Sequence, residues 1–228
     1  MSASSVPSDP SGAGAPLKIA AYDRFKEALL QGRLRPGQVV SQKELVSLLG
    51  MSIGALRELL PRLEAEGLLN VMPQRGIQIT SIDLPMIRDA FQMRMALERE
   101  AVISAVRKMS DAAIEEQDRL HRDILDRLAA DPAPSPAFFD EGQAIDSAFH
   151  DLLIVATDNE LLIQAYNVNS IRIRLIKLDR IRLSRLTLPP AFADHLAVID
   201  GLKARDTDAA VAAIETHIRN ARNRALEL

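Results

Sequence analysis

Ser41–Thr80, SQKELVSLLGMSIGALRELLPRLEAEGLLNVMPQRGIQIT, is the stretch on which the fold turns. Leu45, Leu48 and Leu49 recur at helical spacing and give a short helix one apolar face. Gly50 can adopt the left-handed conformation that ends such a helix, and Ser52 can cap the next by accepting a backbone N–H. In that second helix Leu56, Leu59, Leu60 and Leu63 form the buried stripe, while Arg57 and Arg62 stay off it. Gly67 closes it, and two β-prone runs, Leu68–Met72 and Ile77–Thr80, flank the Pro73–Gly76 turn. Two short helices joined by a glycine-containing turn, then a two-stranded wing, make a winged helix-turn-helix whose second helix can enter a DNA major groove. Pro61 lies inside that second helix, where the lost N–H and the clash with the preceding turn cost ~3 kcal/mol, so a bend is expected there.

Outward from this segment, 228 residues favour two domains, and the absence of cysteine excludes disulfides and thiolate metal sites. No apolar run reaches the ~20 residues that span a bilayer, so a soluble cytoplasmic protein without membrane contact is expected. Residues 1–16 are rich in Ser, Pro, Ala and Gly and lack a charged start before an apolar core, which predicts a disordered tail rather than a signal peptide. The expected domains are then 17–81, the DNA reader, and 82–228. Residues 1–80 hold nine Lys/Arg against seven Asp/Glu, whereas residues 81–228 hold nineteen against twenty-four. The basic excess thus accompanies the reader, but it is small. Phosphate attraction per protomer is modest, and useful affinity for double-stranded DNA calls for a dimer.

From Ser81 onward apolar residues recur at three- and four-residue spacing. This predicts six helices, about Asp83–Lys108, Ser110–Ala130, Ser135–Thr157, Asn159–Leu186, Pro190–Ala204 and Thr207–Leu226. The fold class is therefore mostly α, a winged helix-turn-helix followed by an all-α antiparallel helical bundle. The chain has four histidines. Asp146 and His150, four apart on one helix, point to the same side. His195 falls near the start of the fifth helix and His217 in the middle of the sixth. One carboxylate and three imidazoles suit Zn²⁺, Ni²⁺, Mn²⁺ or Fe²⁺. On spacing alone, an ordinary core or surface pair and structural histidines explain the pattern more readily than a metal site.

Gly32, Pro36, Gly37, Ser52, Arg57, Glu58 and Leu63 through Leu68 resemble the pattern of the GntR family of bacterial transcription regulators, over roughly Leu17–Thr80. One departure is Ile53, where the family usually has arginine after the helix-leading serine. DSAFH (Asp146–His150), DHLAVI (Asp194–Ile199) and ETHI (Glu215–Ile218) resemble, in order, three places of the FCD effector-binding domain of the FadR branch. Six helices rather than seven resemble the VanR-like subgroup. The resemblance implies a metal held by Asp146, His150, His195 and His217, Zn²⁺ or Ni²⁺ first and Mn²⁺ or Fe²⁺ next. It also implies a small carboxylate effector and Arg94, four residues before Glu98, as an effector contact. An exposed Arg94–Glu98 pair is the plain alternative. Among Asn167, Asn169, Arg172 and Arg174 in the fourth helix, the sequence does not select a cavity residue. His121, between Arg119 and Arg122, matches nothing in the pattern and is expected on a solvated face.

On the DNA side, Lys43 falls where relatives place a basic contact. Ser52 and Arg57 lead the recognition helix, and Arg57 has the fork that can read guanine. Arg62 suits a phosphate, and Arg75 and Gly76 form the wing tip. The function expected is a dimeric, ligand-responsive regulator, a repressor on an inverted-repeat operator. The alternatives are a regulator for which the ion itself is the signal, and a metal-dependent enzyme.

Overall fold

The computed structural model describes residues 14–227, in two compact units that divide between Ile82 and Asp83. Most of the expected tail lies outside the described residues, but α1 (Gly14–Leu30) begins within that stretch.

In the first unit α1 packs on α2 (Gln42–Leu49) and α3 (Ile53–Ala65), with Phe25, Ala28 and Leu29 buried. Ser41 and Glu44 close a capping box on α2, and Gly50 ends it at φ 59°. The C-terminal carbonyls of α2 receive two arginines, Arg24 Nη1 on Gly50 O at 2.8 Å and Arg33 Nη1 on Leu48 O at 3.3 Å. Cations there complement the helix dipole. Ser52 Oγ accepts from Ala55 N at 3.1 Å, and Leu56, Leu59, Leu60 and Leu63 are the buried stripe of α3. Pro61 sits inside α3 without ending it. The N–H it lacks would have served the carbonyl of Arg57, and both residues are exposed, so water can reach that oxygen.

The wing pairs β2 (Leu69–Met72) with β3 (Gly76–Ile79), Val71 opposite Ile77. A two-residue strand that the sequence reading missed, β1 (Val39–Val40), joins β3 on its other side and makes the order β1-β3-β2. This strand explains Gly76. Its φ is 107°, and a Cβ there would lie 2.8 Å from Val40 O. Glycine is demanded by the sheet itself, before any approach to DNA.

The second unit consists of α4 (Leu84–Lys108), α5 (Asp111–Ala130), α6 (Pro136–Val155), α7 (Glu160–Arg180), α8 (Leu188–Lys203) and α9 (Thr207–Leu226). α4 packs against α6, α7 and α9, while α5 packs on α8. The stripe of α4 contains Ile87, Ala90, Phe91, Arg94, Glu98, Ala101, Val102 and Ala105, so two charged residues sit in an otherwise apolar face. α8 and α9 approach closely at Gly201, where a Cβ would meet Ala210 Cα at 2.7 Å. Among the described residues no helix is long and apolar enough to cross a membrane.

One boundary corrects the sequence reading. α7 ends at Arg180 rather than Leu186. Ser184 N donates to Thr187 Oγ1 at 2.9 Å, a side-chain bond that competes with a helical ladder, and the turn delivers Leu183 into a cluster with Phe138, Leu188 and Phe192.

Candidate functional site

The packed interior of the second unit contains a polar cluster. Arg94, Glu98, His121, Asp146, His150, Lys177, His195 and His217 are all buried. They come from every helix of the unit: α4 supplies Arg94 and Glu98, α5 His121, α6 Asp146 and His150, α7 Lys177, α8 His195 and α9 His217. Within it, one donor atom from each of Asp146, His150, His195 and His217 lies within 4.8 Å of the others.

The ring nitrogens can be assigned from their partners. Arg94 Nη2 lies 2.6 Å from His150 Nε2 and 3.4 Å from His217 Nε2. A guanidinium only donates, so His150 Nε2 must be a bare acceptor. On the other side of that ring, Nδ1 stands 2.8 Å from Glu98 Oε2, at an angle too oblique for a regular hydrogen bond but of the sign that keeps the proton on Nδ1. His217 Nδ1 faces Asp194 Oδ2 at 3.7 Å, an ion-pair distance, and Asn220 Nδ2 donates to that carboxylate at 3.0 Å. His195 Nε2 lies 3.3 Å from His217 Nε2 and 3.7 Å from Asp146 Oδ1. Burial depresses all three imidazoles: His217 falls to about 4, His150 is lowered, and His195 falls well below its usual value. They are neutral at pH 7, each with one ring lone pair, and that of His150 accepts from Arg94 Nη2.

In the two carboxylates the neighbouring charges override burial. Burial alone would raise Asp146 and Glu98, but Lys177 beside Asp146 and Arg94 beside Glu98 outweigh it and hold both well below the carboxylate range. Lys177 Nζ donates to Asp146 Oδ2, and Gln143 Nε2 adds a bond to the same oxygen at 3.1 Å, which leaves Oδ1 turned to His195. Arg94 Nε donates to Glu98 Oε1 at 2.7 Å. Two buried cations therefore balance two buried anions.

This donor set fits a divalent ion. Ligands sharing one tetrahedral ion at Zn–N distances of ~2.0–2.1 Å lie about 3.4 Å apart. The His195 and His217 Nε2 atoms already stand at 3.3 Å. A small cavity beside the cluster is lined by Arg94, Ser147, Tyr166, Asn169, Arg174 and Lys177, and Arg94 Nη1 is buried without a hydrogen-bond partner. Of the four candidates left open in α7, Asn169 and Arg174 line this cavity. Asn167 is exposed, and Arg172 does not line it.

One alternative falls and one reading of the sequence changes. Arg94 belongs to the interior, which removes the exposed-pair alternative, and its place in the α4 stripe was the available signal. His121 is fully buried, not solvated. Its charged neighbours project elsewhere around α5, whereas Ile114, His121, Ile124 and Leu128 share one stripe. Lys177 was missed altogether, although it follows Tyr166, Asn169 and Ile173 along the buried face of α7.

In the first unit Lys43, Ser52, Arg57, Arg62 and Arg75 are exposed and Gly76 is half-buried. Ser52 is engaged as the cap of α3. Arg62 also has structural work: its guanidinium lies 3.8 Å over the Tyr22 ring, and Nε contacts Glu66 at 2.9 Å.

Comparison with known proteins bears on both units. Residues 17–79 match the gntR family of bacterial regulatory proteins, and residues 89–220 match the FCD domain. The HTH-type transcriptional regulator BphR of Paraburkholderia xenovorans (strain LB400) is 30% identical over 209 residues, 88% of this chain and 82% of BphR. The HTH-type transcriptional repressor RspR of Escherichia coli (strain K12) is 24% identical over 208 residues, 90% of this chain and 86% of RspR. The solved structure of the Zn²⁺-bound FCD domain of TM0439 matches with a TM-score of 0.50 at 22% identity, covering 64% of this chain and 96% of that one.

Proposed function

The chain belongs to the GntR family of bacterial regulatory proteins, with an FCD domain as its second unit, and from that premise we propose a homodimeric repressor whose DNA binding is set by a small carboxylate at a metal centre. Its family and relatives are transcription regulators, so the enzyme alternative falls away. Asp146, His150, His195 and His217 would hold the ion, Zn²⁺ or Ni²⁺ first, which when bound supplies a Lewis-acid position for an anion. The observation that carries this reading is the neutral, charge-balanced donor set. Arg94 with Glu98 and Lys177 with Asp146 already cancel, so a divalent ion introduces two positive charges into a buried site. Each carboxylate of an organic acid offsets one of them, and Arg94 Nη1 offers it an unused donor. The zinc described for TM0439 and the repressor description of RspR support the same assignment.

Regulation is a population shift. The acid favours an arrangement of the dimer in which the two recognition helices no longer match the half-sites, to the extent that it binds that arrangement more tightly. The test is elemental analysis of purified protein together with operator binding titrated with carboxylic acids, before and after chelation. About one metal per chain and acid-driven release only from the metal-loaded protein are expected. Protein that retains no metal and responds to acid identically after chelation would overturn the reading. Release by the ion alone would make the metal itself the signal.

At the reader, Arg57 is the base-reading candidate on the exposed face of α3. Arg57→Ala is expected to weaken specific operator binding about 5- to 150-fold, the range set by ~1–3 kcal/mol for a bidentate guanine contact. Circular dichroism should be unchanged. Retained specific affinity would remove Arg57 from the reading surface.

A further inference from the structure

His121 is as buried as the candidate ligands, yet it contributes no atom to their cluster. Its Nδ1 lies 2.7 Å from Gln117 O, one turn earlier on α5. A carbonyl oxygen only accepts, so that nitrogen carries the hydrogen. Phe149 and Phe192 pack against the ring, an apolar setting that favours its neutral form. Nε2 is therefore a bare acceptor, and it faces His195 Nδ1 at 3.0 Å. A single hydrogen satisfies that pair, and it must sit on His195 Nδ1. The assignment then passes through the ring: His195 Nε2 is left bare, on the side of His217 Nε2 and Asp146 Oδ1.

The surroundings hold His121 in this orientation. Phe149 packs edge-on at 5.1 Å between ring centroids, and Phe192 lies tilted at 4.9 Å. His150 and His217 have carboxylates, Glu98 and Asp194, behind their Nδ1 atoms. His195 has a neutral imidazole there instead, itself anchored by a backbone carbonyl. This fixes a tautomer without a third buried negative charge.

We propose that His121 is a positioning residue for the metal centre: by accepting from His195 Nδ1–H it fixes the tautomer and ring angle that present the His195 Nε2 lone pair to the ion. The proposal rests on reading Asp146, His150, His195 and His217 as that centre. Partners behind a ligating histidine are worth ~10–100-fold in metal affinity.

The experiment uses the full chain and two variants. His121→Phe preserves an aromatic plug and removes the acceptor; His121→Gln restores an acceptor oxygen. Zn²⁺ affinity is measured by competition with a chelator, and the tautomer of His195 is read in metal-free wild-type protein by long-range ¹H–¹⁵N correlation. Expected are Nδ1–H on His195, a 10- to 100-fold loss of Zn²⁺ affinity in His121→Phe, and recovery of most of it in His121→Gln. Undiminished Zn²⁺ affinity in folded His121→Phe, or a hydrogen on Nε2 of His195, would overturn the proposal. Should His121→Phe fail to fold, the wild-type tautomer decides. If wild-type protein binds no Zn²⁺, the metal centre is refuted. The positioning role at it falls too, whereas Nδ1–H on His195 would still separate that outcome from a failure of the His121 contact.

Discussion

Glu98→Ala is expected to destabilise the helical unit by about 3–5 kcal/mol, the cost of leaving one member of a buried ion pair without its partner. Glu98 is 1% exposed, and so is Arg94, whose Nε it receives at 2.7 Å. Without the carboxylate, the guanidinium retains only histidine nitrogens as acceptors. Arginine does not escape by losing its proton, so the charge stays in the core. For a unit of this size, each kcal/mol moves the midpoint about 2–4 °C, which places Glu98→Ala roughly 6–20 °C below wild type in a thermal melt. Arg94→Met combined with Glu98→Leu is expected to recover most of that loss, since well-packed apolar residues commonly replace a buried pair without net cost. A drop under about 1 kcal/mol for Glu98→Ala would mean that Arg94 reaches water after all. The pH dependence has a definite sign. Arg94 and then His150 outweigh burial and depress Glu98, so its contribution is complete above the unfolded value of 4.5 and is lost as pH falls below it.

What was legible in the sequence follows the range of the interactions involved. The reader was recoverable because its signals are local: Ser41 and Ser52 cap α2 and α3, Gly50 ends α2, and the leucine stripe of α3 is read off its spacing. β1 was not recoverable, because two residues have no period, and only pairing with β3 makes Val39 and Val40 a strand. The end of α7 was hidden for a similar reason, since Ile181–Leu186 is apolar enough to extend a helix and the turn is decided by Ser184, Thr187 and the packing of Leu183. In the cluster, Asp146 and His150 share a face by spacing alone. Their meeting with His195 and His217 depends on α8 and α9 closing at Gly201, and the pairing of those residues came from family resemblance rather than from periodicity. His121 was discounted because charge was read from its chain neighbours, Arg119 and Arg122, and Lys177 has a charged neighbour, Asp179, two residues on. A helix turns ~100° per residue, so residues adjacent in sequence say little about one another's burial.

Zn²⁺ supplied at about a thousand times its dissociation constant is expected to stabilise the protein by ~4 kcal/mol, by mass action on the folded state alone. That corresponds to a rise of roughly 8–16 °C in the melting temperature of the helical unit. In His195→Ala with His217→Ala the rise should vanish, because two of the four donors are gone and Asp146 and His150 alone make a poor site. The metal-free double variant should still melt cooperatively, which separates loss of the site from loss of the fold. A full thermal shift in the double variant would remove those two histidines from the ligand set. Acid gives a second readout, independent of the variants. Burial depresses His217 to about 4, against 6.5 for an unperturbed histidine, so between those values the unfolded chain takes up a proton that the folded one refuses. Metal-free stability should therefore fall as pH drops from about 6.5 towards 4, with His150 and His195 contributing in the same direction. Because the same burial keeps His195 and His217 free of an added proton in the folded state, the Zn²⁺-induced shift should persist near pH 5.5, where unperturbed histidines are already mostly protonated. A shift that collapses with an apparent pKa of 6.5 would place the ligating histidines in water rather than in the core of the bundle.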